Sequence, residues 1–248
     1  MKPLKTSLRI EAGSRSPLTK DQSLETQSLL STCLRLGEDF SSFHAEARRH
    51  PQYRWIARAG VGRLLRAPRA FEDLIKLMCT TNCSWSLTTI ININLIGELG
   101  EELSDGLRAF PTPEAIAGVS EKFMRKTIRA GYRSPYIIEC AERVASGELD
   151  VESWRTTALS TEDLFHLIQN VKGMGPYAAG NLLRLLGRYN HLALDSWVRS
   201  QYARLHYKGR KVSDRTIERA YEQYGRWRGL FFWLELTRSW FDKKFPDW

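Results

Sequence analysis

Val171-Lys172-Gly173-Met174-Gly175-Pro176-Tyr177-Ala178-Ala179 lies between two stretches of helical spacing, and the way it joins them decides the fold. Before it, Leu164, Phe165, Leu167, Ile168 and Val171 mark one face of a helix, with Ser160 and Asp163 at capping-box spacing. After it, Tyr177 to Leu186 is rich in Ala and Leu and is again helical. Two glycines around one residue make a turn too tight for side chains. Glycine reaches positive φ at little cost and lets another backbone approach closely. A helix that starts at such a turn points free N–H groups outward at positive potential, which suits a phosphate and asks nothing of the base.

A second loop type also fits these glycines. Gly173, Gly175 and Ala178 match a loose G-x-G-x-x-A, with Asp195 about 20 residues further on, as in dinucleotide-binding folds. That motif follows a β-strand, however. Here the preceding segment has helical spacing and no β-branched run, and the chain shows no strand–helix alternation. The helical hairpin is the better reading.

Further out, helical patterns run from about Leu24 to Leu36, from Glu38 to Arg49 (ended by Pro51), and through Phe71, Leu74, Ile75, Leu77 and Met78. Thr88 to Ile96 (TTIININLI) is β-branched enough for a strand, but Ser84 caps it and no partner strand lies nearby, so a helix is expected. Pro113 suits the first turn of a helix. Further helices are predicted over Glu121–Ala130, Ser134–Ser146, Trp197–His206, Asp214–Tyr224 and Trp227–Phe241, with His191–Leu194 short and extended before Asp195.

The 248 residues, 42% hydrophobic, suffice for one core or two small helical lobes sharing a cleft. Lys and Arg number 37 against 28 acidic residues, a net charge of +9 that favours a polyanionic partner. Arg199, Arg204, Lys208, Arg210, Lys211, Arg215, Arg219, Arg226 and Arg228 crowd one segment with aromatic residues between them, the composition of a surface that tracks a nucleic-acid backbone. No apolar run approaches the roughly 20 residues needed to span a bilayer. Cys33, Cys79, Cys83 and Cys140 are scattered, and the pair Cys79 and Cys83 is short of the four thiolates that an iron–sulfur cluster takes. No metal site is expected.

The hairpin segment, followed by Leu194-Asp195-Ser196-Trp197-Val198, closely resembles the helix-hairpin-helix and catalytic aspartate of the endonuclease III and 8-oxoguanine DNA glycosylase superfamily. Gly62-Arg63-Leu64-Leu65-Arg66, Met78-Cys79-Thr80-Thr81-Asn82, Phe110-Pro111-Thr112-Pro113 and Gly131-Tyr132-Arg133-Ser134-Pro135-Tyr136 resemble the 8-oxoguanine branch, as does a terminal helix with Tyr224-Gly225 and Gly229. The resemblance covers roughly residues 36–245. It implies an all-α fold of two helical lobes flanking a cleft, with the hairpin at its edge. Residues 1–35 are then a short, partly irregular extension. One lobe covers approximately 70–187, and the other combines 36–69 with 188–248.

By the same resemblance, Asp195 is the catalytic carboxylate, Tyr177, Trp197, Phe232 and Leu236 line the base pocket, and Lys172, Gly173, Gly175, Asn82, Tyr132 and Arg133 contact DNA. Asn82 would fill the gap left by a flipped base, while Tyr132 and Arg133 wedge the duplex and reach the opposite strand. The resemblance also leaves room for a monovalent cation at the hairpin, and otherwise implies no cofactor. Bifunctional relatives carry a lysine just after the hairpin, where this chain has Tyr177. A phenol cannot form a Schiff base, so a monofunctional glycosylase is expected. Its partner would be double-stranded DNA with a damaged or mismatched base, met by a monomer at a prokaryotic nucleoid or in a eukaryotic nucleus. The alternative is a non-catalytic helix-hairpin-helix DNA-binding protein.

Overall fold

The computed structural model describes residues 17–103 and 106–244. The regular elements among them are helices, and the extended pairing is a lone bridge between Glu102 and Arg108. In chain order they are α1 (Lys20–Leu34), α2 (Ser41–Arg49), α3 (Arg54–Ala59), α4 (Ala70–Thr80), α5 (Trp85–Leu99), α6 (Pro113–Ala117), α7 (Glu121–Lys126), α8 (Ser134–Ala145), α9 (Thr161–Gln169), α10 (Pro176–Leu185), α11 (Ser196–Tyr207), α12 (Asp214–Tyr221) and α13 (Arg228–Lys244). Short 3-10 turns include Gly131–Arg133 and Glu222–Trp227.

Helix starts are fixed by ordinary chemistry, at Ser84 and Ser160 as expected and at Thr112 and Ser120 besides. Side chains of Ser84, Thr112, Ser120 and Ser160 accept N–H groups from the first turns of α5, α6, α7 and α9, satisfying donors with no partner inside the helix. The β-branched stretch is helical after all. Thr88, Ile91 and Leu95 bury one face of α5, and the Thr88 hydroxyl donates to the Cys79 carbonyl. Several details differ from expectation. The second helix starts at Ser41, not Glu38, and α7 ends at Lys126, four residues short of Ala130. The stretch before Asp195 is not uniformly extended either, because Ala193 sits at φ 55. Of the partly irregular extension expected over residues 1–35, residues 1–16 lie outside the described residues, and Lys20–Leu34 is the helix α1, which buries no side chain.

Buried apolar side chains form two clusters. One draws on residues 70 to 186, with Leu74, Met78, Ile91, Ile137, Ile168 and Leu182 at its centre. The other joins residues 40 to 56 to residues 189 to 236 and is dominated by aromatic rings, Phe43, Tyr53, Tyr224 and Phe231 packing at centroid distances of 4.6–5.5 Å. Edge and tilted ring contacts of this kind add to what area burial alone supplies.

Arg35 ties the two clusters together. Its side chain has no solvent exposure, and its guanidinium donates to the carbonyls of Leu64 (2.7 Å) and Arg184 (3.0 Å), to the Tyr189 hydroxyl (2.8 Å) and to Glu38 (2.6 and 2.9 Å). Arg184 is in the last turn of α10, and its carbonyl, which also accepts the Gly187 N–H at 3.2 Å, takes this donation at the helix end. The segment from Tyr189 to Ala193 is threaded between α10 and α13 at two glycines. A Cβ at Gly180 would lie 2.5 Å from the His191 ring, and one at Gly229 would lie 2.0 Å from the His191 carbonyl oxygen. This close threading delivers Asp195 to the start of α11. No helix among the described residues is long and apolar enough to cross a membrane.

Candidate functional site

The hairpin uses its two glycines differently. Gly173 has φ 88, and a Cβ there would press on Met78 and Tyr136 at 3.1–3.2 Å, so both backbone and packing require glycine. Gly175 has an ordinary φ of −69, and a side chain there would meet no protein atom within 4 Å. The expectation of positive φ therefore holds at Gly173 and fails at Gly175. What Gly175 supplies is open space over the start of α10, whose N-cap has no side-chain hydrogen bond and whose first residue is Pro176. A phosphate could occupy that space. Gly175→Val is expected to weaken binding to damaged and undamaged duplex alike by about tenfold, the worth of a charge-assisted hydrogen bond or so. Fluorescence anisotropy with both duplexes checks this, and a loss confined to one of them would contradict a backbone grip.

An open cavity of about 620 Å³ faces the hairpin, walled by Lys172, Gly173, Gly175 and Tyr177 on one side and by Asn82 and Tyr132 on the other. Five of the expected DNA-contacting residues thus share one groove. Tyr132 is 46% exposed and donates its hydroxyl to the Thr81 carbonyl at 3.1 Å, with the Asn82 amide 3.4 Å from the same hydroxyl. Asn82 is at φ 44, a left-handed conformation that asparagine tolerates better than most residues. Lys172 is exposed and paired with Glu139 at 2.8 Å, so a phosphate would have to compete with that carboxylate.

Arg133 is a correction. It is 4% exposed, and its guanidinium donates to the carbonyls of Thr81 and Ala130 beneath the Tyr132 ring, 4.6 Å from its centroid. It braces the Asn82 loop and is not available to the opposite strand.

Asp195 is the N-cap of α11. Its Oδ1 accepts the Val198 N–H at 2.7 Å, so the cap uses one carboxylate oxygen. Tyr177, in the first turn of α10, joins Asp195 to the hairpin groove: burial and the nearby Asp195 charge push its phenol up from the usual value. The phenol is thus neutral and stays a hydrogen-bonding group.

Two expected pocket residues are also corrections. Phe232 has no exposure and packs on Tyr221 and Tyr202 at 5.1 and 6.4 Å, and Leu236 is 4% exposed in the same core. Successive residues of a helix are rotated by about 100°, so a reading displaced by one position picks the core face instead of the cleft face. The partly exposed neighbour is Trp233. It lies 6.3 Å from Trp197 and 6.1 Å from Trp240, with Trp197 and Trp240 5.2 Å apart. These three indoles, beginning two residues after Asp195, form an aromatic wall fit for stacking a flat base. The sequence reading missed Trp233 and Trp240, although their spacing of two helical turns was a usable signal.

Arg184 was missed too. It is 4% exposed, within electrostatic reach of Tyr177 and Asp195, and its guanidinium lies 4.9 Å from the centroid of Trp233. It donates to Asn181 Oδ1 at 3.2 Å and to the Leu192 carbonyl at 3.1 Å, three residues before Asp195. Burial brings its pKa down to about 10. It is still a cation at neutral pH.

Among the described residues no group of three or more His, Cys, Asp or Glu side chains gathers as a metal site. Cys79 and Cys140 are thiols whose pKa burial pushes up to about 12.

No family model matches the sequence. Among curated proteins, the chain is 22% identical over 171 residues to "Putative DNA-3-methyladenine glycosylase YfjP" of Bacillus subtilis (strain 168), a match covering 67% of this chain and 58% of the relative. This chain thus spans less than two thirds of that relative's length. Among solved structures, it superposes on the Clostridium acetobutylicum 8-oxoguanine glycosylase/lyase in complex with double-stranded DNA containing cytosine opposite 8-oxoguanine, with TM-score 0.71, 23% identity, and 88% and 77% of the two chains covered. It also superposes on the 3-methyladenine DNA glycosylase of Archaeoglobus fulgidus, with TM-score 0.70, 22% identity, and 91% and 78% covered. The all-α architecture of this chain is the fold of the helix-hairpin-helix DNA glycosylases.

Proposed function

We propose that the protein is a monofunctional DNA glycosylase of base excision repair, which draws a damaged or mispaired base out of duplex DNA and hydrolyses its N-glycosidic bond. The observation that carries this reading is the position of Tyr177. It belongs at once to the groove of the hairpin, Asn82 and Tyr132 and to the surroundings of Asp195. This double membership supports a backbone grip and a carboxylate that serve one and the same nucleotide.

The chemistry follows from these parts. The hairpin amides hold the phosphodiester backbone, and Tyr132 enters the stack while Asn82 takes the place of the extruded base. The base then rests on the wall of Trp197, Trp233 and Trp240. As the C1′–N bond lengthens, its electron pair leaves with the base and positive charge grows on the sugar. The Asp195 carboxylate stabilises that charge and takes a proton from the water that bonds to C1′. The product is an abasic site with the strand intact, because Tyr177 has no amine to attack the sugar.

The C. acetobutylicum enzyme is named for both glycosylase and lyase action, so strand cutting is the point to test. Duplexes with alkylated, oxidised, deaminated or mismatched bases are to be incubated with the protein and resolved with and without alkali. Breaks should need alkali, and borohydride should trap no protein–DNA adduct. A robust adduct would show an attacking lysine and end the monofunctional reading. Tight binding without excision of any lesion would instead favour a non-catalytic DNA-binding protein.

A further inference from the structure

The proteins of like fold are named for lesions of opposite electrical character. A 3-methyladenine nucleotide carries a positive charge before its base is released, whereas 8-oxoguanine is neutral at physiological pH. The names leave the substrate of this chain open between the two, but one side chain of its own discriminates between them.

Arg184 is buried and charged, and among the described residues no carboxylate forms an ion pair with it. Its hydrogen-bond acceptors, Asn181 and the Leu192 carbonyl, are neutral, and its buried Nε has no hydrogen-bond partner. A dry, unpaired guanidinium is costly to keep and is uncommon away from functional sites. The Asp195 charge reaches it only at longer range, and the Tyr177 phenol nearby is neutral. One face of the Trp233 ring is committed to it at 4.9 Å. An indole attracts a cation through the negative potential of its π-face. With a guanidinium already on one face, Trp233 has less to offer a second cation on the other, and the two positive charges would repel through a medium of low dielectric.

We propose that Arg184 is a specificity-determining residue that sets the base site against cationic, alkylated purines and in favour of neutral lesions. This rests on the glycosylase reading and names its substrate class. The same charge helps the reaction a neutral base must undergo. When its C1′–N bond breaks, the electron pair leaves on the base nitrogen, so the departing base becomes anionic until it is protonated by solvent. A fixed cation behind the aromatic wall stabilises that developing negative charge, just as Asp195 stabilises the positive charge on the sugar.

The test uses equilibrium binding, so it does not depend on turnover. Duplexes carry a 2′-fluorinated, non-cleavable nucleotide with either 7-methylguanine (cationic) or hypoxanthine (neutral), and their affinities are compared by competition. Wild-type protein should prefer the neutral duplex. Arg184→Met should move the ratio by about tenfold or more toward the cationic one, the effect of one charge at short range in a poorly polarisable site, and Arg184→Lys should keep the wild-type preference. If Arg184→Met does not fold, Arg184→Gln removes the charge while keeping a donor for the Leu192 carbonyl. A wild-type protein that binds the cationic duplex as tightly as the neutral one overturns the inference without any variant, as does an unchanged ratio in both uncharged variants. Excision of cleavable lesions by the wild type, measured in parallel, reports separately on the glycosylase reading.

Discussion

Asp195→Asn should slow base excision by about 100-fold or more while leaving DNA affinity equal to or above that of the wild type. The magnitude is what electrostatic and acid–base terms ordinarily supply when one group provides both. The substitution is clean for a structural reason. Asp195 Oδ1 caps α11 by accepting the Val198 N–H at 2.7 Å, and asparagine is as good an N-cap as aspartate. The side-chain carbonyl can keep the cap, so the variant loses the charge and the proton acceptor without loosening the helix. Single-turnover excision and anisotropy measure the two effects separately. Asp195→Ala should show the other half of the residue's work, a stability loss of about 1 kcal/mol from the missing cap. An Asp195→Asn protein with near-normal excision would remove Asp195 from the mechanism.

The second large effect is on stability and lies where no ligand is involved. Gly229→Ala would set its Cβ 2.0 Å from the His191 carbonyl oxygen, and the Gly229 N–H already donates to the Tyr189 carbonyl at 2.7 Å. Both clashing partners are main chain, so no side chain can turn aside. The expected loss is about 3 kcal/mol, the upper part of the range for overpacking, read as a lowered urea midpoint. Gly97→Ala is the matched control. Gly97 lies within α5 and has no neighbour within 4 Å of a prospective Cβ, so the better helix former should leave stability unchanged or raise it by up to about 1 kcal/mol. Equal midpoints for the two variants would mean that the 189–193 segment is not tightly threaded. Because that segment carries Asp195 into the cleft, Gly229→Ala should also depress excision in whatever fraction remains folded.

What was legible in the sequence was what local chemistry determines. Glycines announced the hairpin, Ser caps announced α5 and α9, and a first-turn proline announced α6. Asp195 was picked out by the resemblance of its surroundings to the helix-hairpin-helix glycosylases, and what the structure adds is that it caps α11. Directions perpendicular to a helix axis were harder. On α13, Phe232 and Trp233 are adjacent and both aromatic, and only the packing of Tyr202 and Tyr221 decides which one turns inward. The same ambiguity affected Tyr132 and Arg133. On a 3-10 turn, consecutive side chains diverge, and here the aromatic residue points out while the charged one points in, against their usual preferences. Arg184 was least visible of all. In the last turn of a helix, an arginine reads as a surface residue complementing the dipole. Its burial depends on Leu192 and Trp233, which reach it from outside its own helix.

The bracing of Tyr132 has a consequence for how such a protein would scan a genome. Its hydroxyl is tied to the Thr81 carbonyl, its ring lies over the Arg133 guanidinium, and Asn82 is held in a left-handed turn beside it. The probing tip is therefore already ordered before DNA arrives, and inserting it freezes little protein motion that was not frozen on folding. The resistance met at each step then comes almost entirely from the duplex, as the work of parting one stacked pair. Mechanically sound pairs repel the tip, and pairs softened by damage or mismatch yield to it. On the proposed function, the stiffness of the nucleic acid would make the first round of selection, and chemical recognition on the tryptophan wall would examine only what that sieve lets through.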